Sequence, residues 1–303
     1  MSPIIPSMSR ATAQHVTTGQ PGRLAPLYLV CAALLWSTGG LLVKLSSWGP
    51  LSILAGRGLV AASVLLVYLR GTRLRLSMSH YIGAVALLAT QMLFILATRM
   101  TTAANAIFLQ YTSPLYVVPL GTWLLGEHPR RIDWITMVIL FLGLAFFFGD
   151  RLSADGLTGN LLALLSGFTV AVFTIVTRRL GRCDGGSDAA AQVILLSYGL
   201  AVVVGFPSLL GEAFTPRDIG LILLLGVFQI GLAFMFYARA IPYASALEAT
   251  LITMLEPILN PLWVALVLGE RPGPRACLGA LLVVGGVVLR SLTADRQAPD
   301  RDT

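Results

Sequence analysis

Ten apolar runs, each about twenty residues long, dominate the chain: 24–45, 49–70, 80–98, 101–125, 132–149, 156–177, 189–210, 217–238, 243–268 and 273–291. At roughly 1.5 Å per helical residue, such a run crosses the roughly 30 Å hydrocarbon core of a bilayer. Backbone groups in lipid have no water to bond, so only helices or a closed barrel can span it. The runs are too long and too evenly apolar for the alternating strands of a barrel. The predicted fold class is an all-α integral membrane protein with ten transmembrane helices. Only 12% of the 303 residues are charged, against roughly 25% in a soluble domain.

The net charge of +7 does not point to nucleic acid, because the basic residues sit in the short gaps between runs. Placing the first residue in the cytoplasm assigns 14 Lys and Arg to that side and 6 to the other, with Arg57 inside a span. Cytoplasmic loops carry such an excess, so both termini are expected inside a bacterial-type inner membrane. The cysteines (Cys31, Cys183, Cys277) and histidines (His15, His80, His128) show no disulfide or metal spacing. No cofactor or metal is expected. Residues 1–23 have no apolar h-region and read as a cytoplasmic tail, as do 292–303. Trp48, Trp123 and Trp134 lie near span ends and read as interface anchors.

The second half repeats the first. GEHPRRIDWITMVILFLG at 126–143 aligns with GERPGPRACLGALLVVGG at 269–286, an offset of 143 that also pairs Pro114 with Pro257. A repeat of five spans is odd, so the halves 24–149 and 156–291, joined by a linker 150–155, enter the membrane in opposite senses. That is the inverted-repeat plan of secondary transporters, whose sites lie near the midplane. With both repeats in one chain, a monomer suffices.

Charge inside a span costs at least about 2.5–3.5 kcal/mol and marks a cavity or a partner. Span 9 contains TMLEPILNPLW, in which Thr253, Glu256, Asn260 and Trp263 share one helical face. Span 4 presents Gln110, Tyr111 and Ser113 at the matching place. Pro114 and Pro257 remove an amide donor each, freeing the carbonyls of Gln110 and Thr253 and offering hinges. Pro261 does the same to Pro257. Glu256 is the candidate for proton coupling. Trp36, Tyr198 (the repeat mate of Arg57), Gln91 and Gln229 are further mid-span candidates, the rings suited to stacking on a planar solute. Arg57 either receives a substrate carboxylate or forms a permanent ion pair with Glu256 or Glu248. Glu248, nearer the cytoplasmic end, is expected to reach water. STGG at 37–40 permits close helix contact.

The tandem halves, ALLWSTGG in span 1, LAGRGLVAASVLL in span 2 and the P…GE(x)P pattern closing spans 4 and 9 resemble the drug/metabolite transporter superfamily, EamA type. The chain is also similar to the YddG-like aromatic amino-acid exporters, though no substrate-reading motif carries that narrower likeness. The resemblance implies export of small metabolites by alternating access, without ATP. The arginine found at this place across the family favours a structural Arg57. Substrate-binding candidates are Trp36, Arg57, Gln110, Tyr111, Ser113, Tyr198, Glu256 and Asn260. Aromatic amino acids are the first substrate expectation, with a nucleobase or drug-like cation as alternatives. An enzyme is disfavoured by the lack of HExxH, GxSxG or Walker motifs. A channel would be expected to show rings of carbonyls or charges.

Overall fold

The computed structural model describes residues 20–149, 155–183, 186–268 and 273–295. Most of the two tails, nearly all of the linker and the GERP stretch at 269–272 lie outside the described residues, as does the side chain of Pro261. The described residues form helices and no strand. The end of the expected tail is a helical turn, Gln20–Arg23, and the last helix runs on to Asp295.

Eight helical stretches are long and apolar enough to cross a membrane. They are spans 1 (Ala25–Val43), 2 (Pro50–Tyr68), 3 (Met78–Met100), 5 (Arg131–Phe148), 6 (Leu157–Cys183), 7 (Ser187–Leu209), 8 (Pro216–Ala240) and 10 (Pro274–Thr293). Spans 4 and 9 complete the ten, each broken into two half-helices. Span 4 is Ala103–Gln110 then Ser113–Leu125, and span 9 is Ala246–Thr253 then Glu256–Leu268. All four boundaries repeat at the offset of 143. The caps repeat too: the Thr102 hydroxyl accepts from Asn105 N at 3.1 Å, and Ser245 accepts from Glu248 N at 3.1 Å.

Packing follows the same pseudo-symmetry. Span 2 lies along its mate 7 and span 5 along its mate 10, while span 3 packs on 6 as span 8 packs on 1. Spans 5 and 10 meet through small residues, the usual means of close approach where lipid offers no hydrophobic drive. A Cβ at Gly279 would come within 2.6 Å of Phe147 N and within 2.8 Å of its Cβ.

Short polar loops tie the arginine-poor ends together. Asp218, at the start of span 8, accepts from Ser46 Oγ, Ser47 N, Ser47 Oγ and Thr215 Oγ1 at 2.6–3.1 Å. Trp48 is not an interface anchor. It is buried beside this loop and donates from Nε1 to Ala213 O at 2.9 Å, because the loop between spans 7 and 8 covers it. Trp123 and Trp134 are exposed as expected.

Gly279→Ala should lower stability by about 1–3 kcal/mol through overpacking. Gly285→Ala, with nothing within 4 Å of its Cβ position, should stay within about 0.5 kcal/mol of the parent. Unfolding of both variants in detergent checks the contrast.

Candidate functional site

The polar centre is built where the chain cannot continue as helix. Pro114 and Pro257 fall at the second position of the second half-helices, where a missing N–H costs nothing. The expected kink is therefore a full break. At Tyr111–Thr112 and Met254–Leu255 the backbone turns through tighter bonds, Thr112 N to Leu109 O at 3.2 Å and Leu255 N to Ile252 O at 3.3 Å. Span 1 is also interrupted, at Thr38. The Ser37 and Thr38 hydroxyls bond back to Leu34 O and Leu35 O at 2.6 and 2.7 Å, a pattern that bends helices. Span 8 widens to a π-helix over Leu225–Leu232, a form that recurs at functional sites.

These four irregular spans face one cavity of about 380 Å³. Trp36, Arg57, Gln110, Tyr111, Ser113, Tyr198, Glu256 and Asn260 all line it, joined by Gln91 and Gln229. Glu256 accepts a hydrogen bond from the Tyr111 hydroxyl at 2.7 Å, which links the breaks of spans 4 and 9. Gln110 donates to Ser166 Oγ at 2.7 Å, and that hydroxyl donates to Thr90 O at 3.0 Å. Trp263, on the Glu256 face as the sequence indicates, donates to Ser37 Oγ at 2.8 Å. Gly39 and Gly40 make room for side chains. A Cβ on either would strike the amides of Gln229 and Asn260.

Arg57 differs from one of its two sequence readings. Among the described residues it has no ion pair with Glu256 or Glu248, and Nη2 donates to Gln91 Oε1 at 2.9 Å. Its Nε has no hydrogen-bond partner, nor do Trp36 Nε1, Gln91 Nε2 and Gln229 Oε1. Buried polar atoms are almost always paired, so this group of lining residues keeps unused hydrogen-bonding capacity.

Glu248 does not reach water. Its Oε2 lies 3.6 Å from Arg290 Nη2, and Arg290 Nε lies 2.7 Å from Asp133 Oδ1. All three residues are at most 9% exposed. Span 10 supplies the cation that makes this burial possible.

Rings line the arginine-rich end of the cavity. Trp36 meets Phe234 edge-on at 4.9 Å, Phe173 stacks on Tyr237 at 5.5 Å, and the Tyr237 hydroxyl is 3.0 Å from Thr177 Oγ1. Beyond them lies a feature the sequence reading missed. Glu127, noticed only as part of the repeated GE(x)P, accepts from Arg178 Nε at 2.7 Å and from Ala246 N at 2.9 Å, with Arg182 at 3.5 Å. Arg178 also donates to the carbonyls of Ile241 and Pro242. The loop after span 4, the end of span 6 and the start of span 9 are thereby joined. Toward the arginine-poor face the lining continues through Val43, Phe94 and Asn260.

With this geometry in place, similarity to known proteins is decisive. The EamA-like transporter family model matches residues 23–149 and again 157–292. The chain belongs to this family. The "Uncharacterized transporter YwfM" of Bacillus subtilis is 24% identical over 286 residues, covering 91% of this chain and 96% of its own. The "Pseudopaline exporter CntI" of Pseudomonas aeruginosa is 25% identical over 197 residues, covering 63% and 66%. One solved crystal structure superposes with a TM-score of 0.77 at 21% identity, over 90% of this chain and 98% of that one, and establishes the shared fold. The EamA transporter thus combines two repeats, four irregular spans and one polar cavity.

Tyr111→Phe leaves the Glu256 carboxylate without its donor and should cost about 1–3 kcal/mol. Glu256→Gln keeps an acceptor for the tyrosine and should cost less. Chemical unfolding followed by tryptophan fluorescence ranks the two.

Proposed function

We propose that this EamA transporter exports a small zwitterionic metabolite with a planar side chain, aromatic amino acids first, by alternating access. The observation that carries the reading is Arg57. Among the described residues it forms no direct ion pair, and it lies in a cavity that also holds Glu256 and several aromatic rings. A substrate carboxylate would take the guanidinium through paired charge-assisted bonds. The substrate ammonium would turn to Glu256, and its ring would pack against Trp36, Tyr111 or Tyr198. A volume of about 380 Å³ is at the small end of the roughly 300–1,000 Å³ typical of small-molecule sites.

In this reading the arginine-rich face is cytoplasmic, in a bacterial inner membrane, and a single chain is the working unit. Glu127 and the rings beneath it would form the seal on that face. Release of Glu127 from Arg178 and Ala246 would let the halves rock about the breaks at Pro114 and Pro257. Glu256 would carry the coupling proton, taking it up when Tyr111 and substrate leave the carboxylate. The relative named as a pseudopaline exporter points to a second reading, export of a small metabolite other than an amino acid.

Counterflow in proteoliposomes with labelled phenylalanine, tryptophan, threonine, uracil and a cationic dye tests this. Saturable exchange of phenylalanine and tryptophan is expected, with Arg57→Ala weakening it by roughly tenfold to a hundredfold, the worth of a charged hydrogen bond. Flux of uracil or dye without any amino acid would reject the substrate. Undiminished exchange in Arg57→Ala would remove the arginine from binding. Glu256→Gln should abolish the pH dependence of exchange, and a variant that keeps it would end the coupling assignment.

A further inference from the structure

A second concavity lies on the arginine-rich face, away from the central cavity. Residues 72–77 connect spans 2 and 3 without helix, after a glycine with φ of 87° at Gly71. This strap is fixed in place. Buried Gln192 of span 7 accepts from Arg75 N at 3.0 Å and donates from Nε2 to Arg73 O at 3.2 Å. The Thr72 hydroxyl donates to Asp188 Oδ2 at 3.2 Å. Between the strap and the first turns of span 7 is a hollow of about 330 Å³ lined by Thr72, Arg73, Arg75, His80, Asp188 and Gln192.

Arg73 and Arg75 are exposed and have no side-chain partner among the described residues. Leu74 and Leu76 alternate with the arginines along the strap. They are 57% and 45% exposed, and Met78 beyond them is 74% exposed. The strap thus offers exposed cations interleaved with exposed apolar side chains at the edge of a membrane-spanning bundle. Asp188 is the opposing charge in the hollow, and its carboxylate is engaged by Thr72. Topology alone asks only that arginines be on this face. It gives no reason for a buried glutamine to hold their backbone from both directions.

We infer that the strap binds the phosphate group of an anionic phospholipid, with Arg73 and Arg75 on the headgroup and Leu74 and Leu76 among its acyl chains. Basic hollows at the membrane surface recognise such headgroups by charge, at a range limited by salt screening.

The test is thermal unfolding of the full chain in uncharged detergent, titrated with a short-chain phosphatidylglycerol, the matching phosphatidylcholine, or glycerol 3-phosphate. Phosphatidylglycerol should raise the midpoint saturably, and the other two should not. Arg73→Gln/Arg75→Gln should weaken the apparent affinity roughly thirtyfold, while Arg73→Lys/Arg75→Lys keeps most of it. Arg99→Gln/Arg217→Gln, two exposed charges on the opposite face, should leave it unchanged. Equal shifts with phosphatidylcholine, or an undiminished shift in the Arg73/Arg75 glutamine variant, would overturn the site. A full shift with glycerol 3-phosphate would overturn the lipid as its source in favour of a soluble phosphate.

Discussion

A single carboxylate at one edge of the bundle holds the described conformation together. Glu127 accepts from the Arg178 guanidinium and from the backbone N–H of Ala246. One group thereby caps the first half-helix of span 9, anchors the end of span 6 and fixes the loop closing span 4. The N-terminal end of a helix carries unpaired N–H groups and a partial positive charge, so an acceptor there stabilises both. Arg178 extends the junction to Ile241 and Pro242, which brings in the loop after span 8. On the arginine-rich face these four segments are joined because they share one acid and one base.

The same rule, that no polar group in a membrane goes unpaired at low cost, organises the interior. Spans 4 and 9 break at matched positions, and the polar side chains beside the breaks are paired, Tyr111 to Glu256 of span 9 and Gln110 to Ser166 of span 6. Glu248 is tolerated because Arg290, which also pairs with Asp133, sits beside it. Arg57 is the exception. It rests on a neutral amide, and the residues around it keep polar atoms with no partner. Among the described residues no carboxylate pairs directly with Arg57, and the proposed function reads that cation as the group that receives a substrate anion. That is the physical core of the proposed transport cycle.

Much of this was legible before any coordinates. Run length identifies the spans, because hydrocarbon thickness fixes what a helix must be. The offset of 143 and the two prolines locate both breaks, and the candidates beside them, Gln110, Tyr111, Ser113 and Glu256, line one cavity. What stayed hidden depends on distant partners. Glu127 meets an arginine 51 positions on and an amide 119 positions on, and nothing local to GEHP announces either. Glu248 appears near a helix end in sequence, but span 10 folds back to bury it. The π-helical stretch of span 8 is apolar except for Gln229 and leaves no periodic signal. Gly39 and Gly40 read as helix-packing residues because the sequence cannot show that Gln229 and Asn260 need their space.

The claim that Glu127 seals one face is tested most directly by side-specific thiol labelling. In a chain freed of Cys31, Cys183 and Cys277, Thr250→Cys places a thiol in the cavity lining, buried near the arginine-rich end. With Glu127 intact, an impermeant reagent applied from the arginine-rich face should leave that thiol unmodified. With Glu127→Gln, labelling from the same face should appear. Equal labelling in both backgrounds, or none in either while transport continues, would contradict the latch.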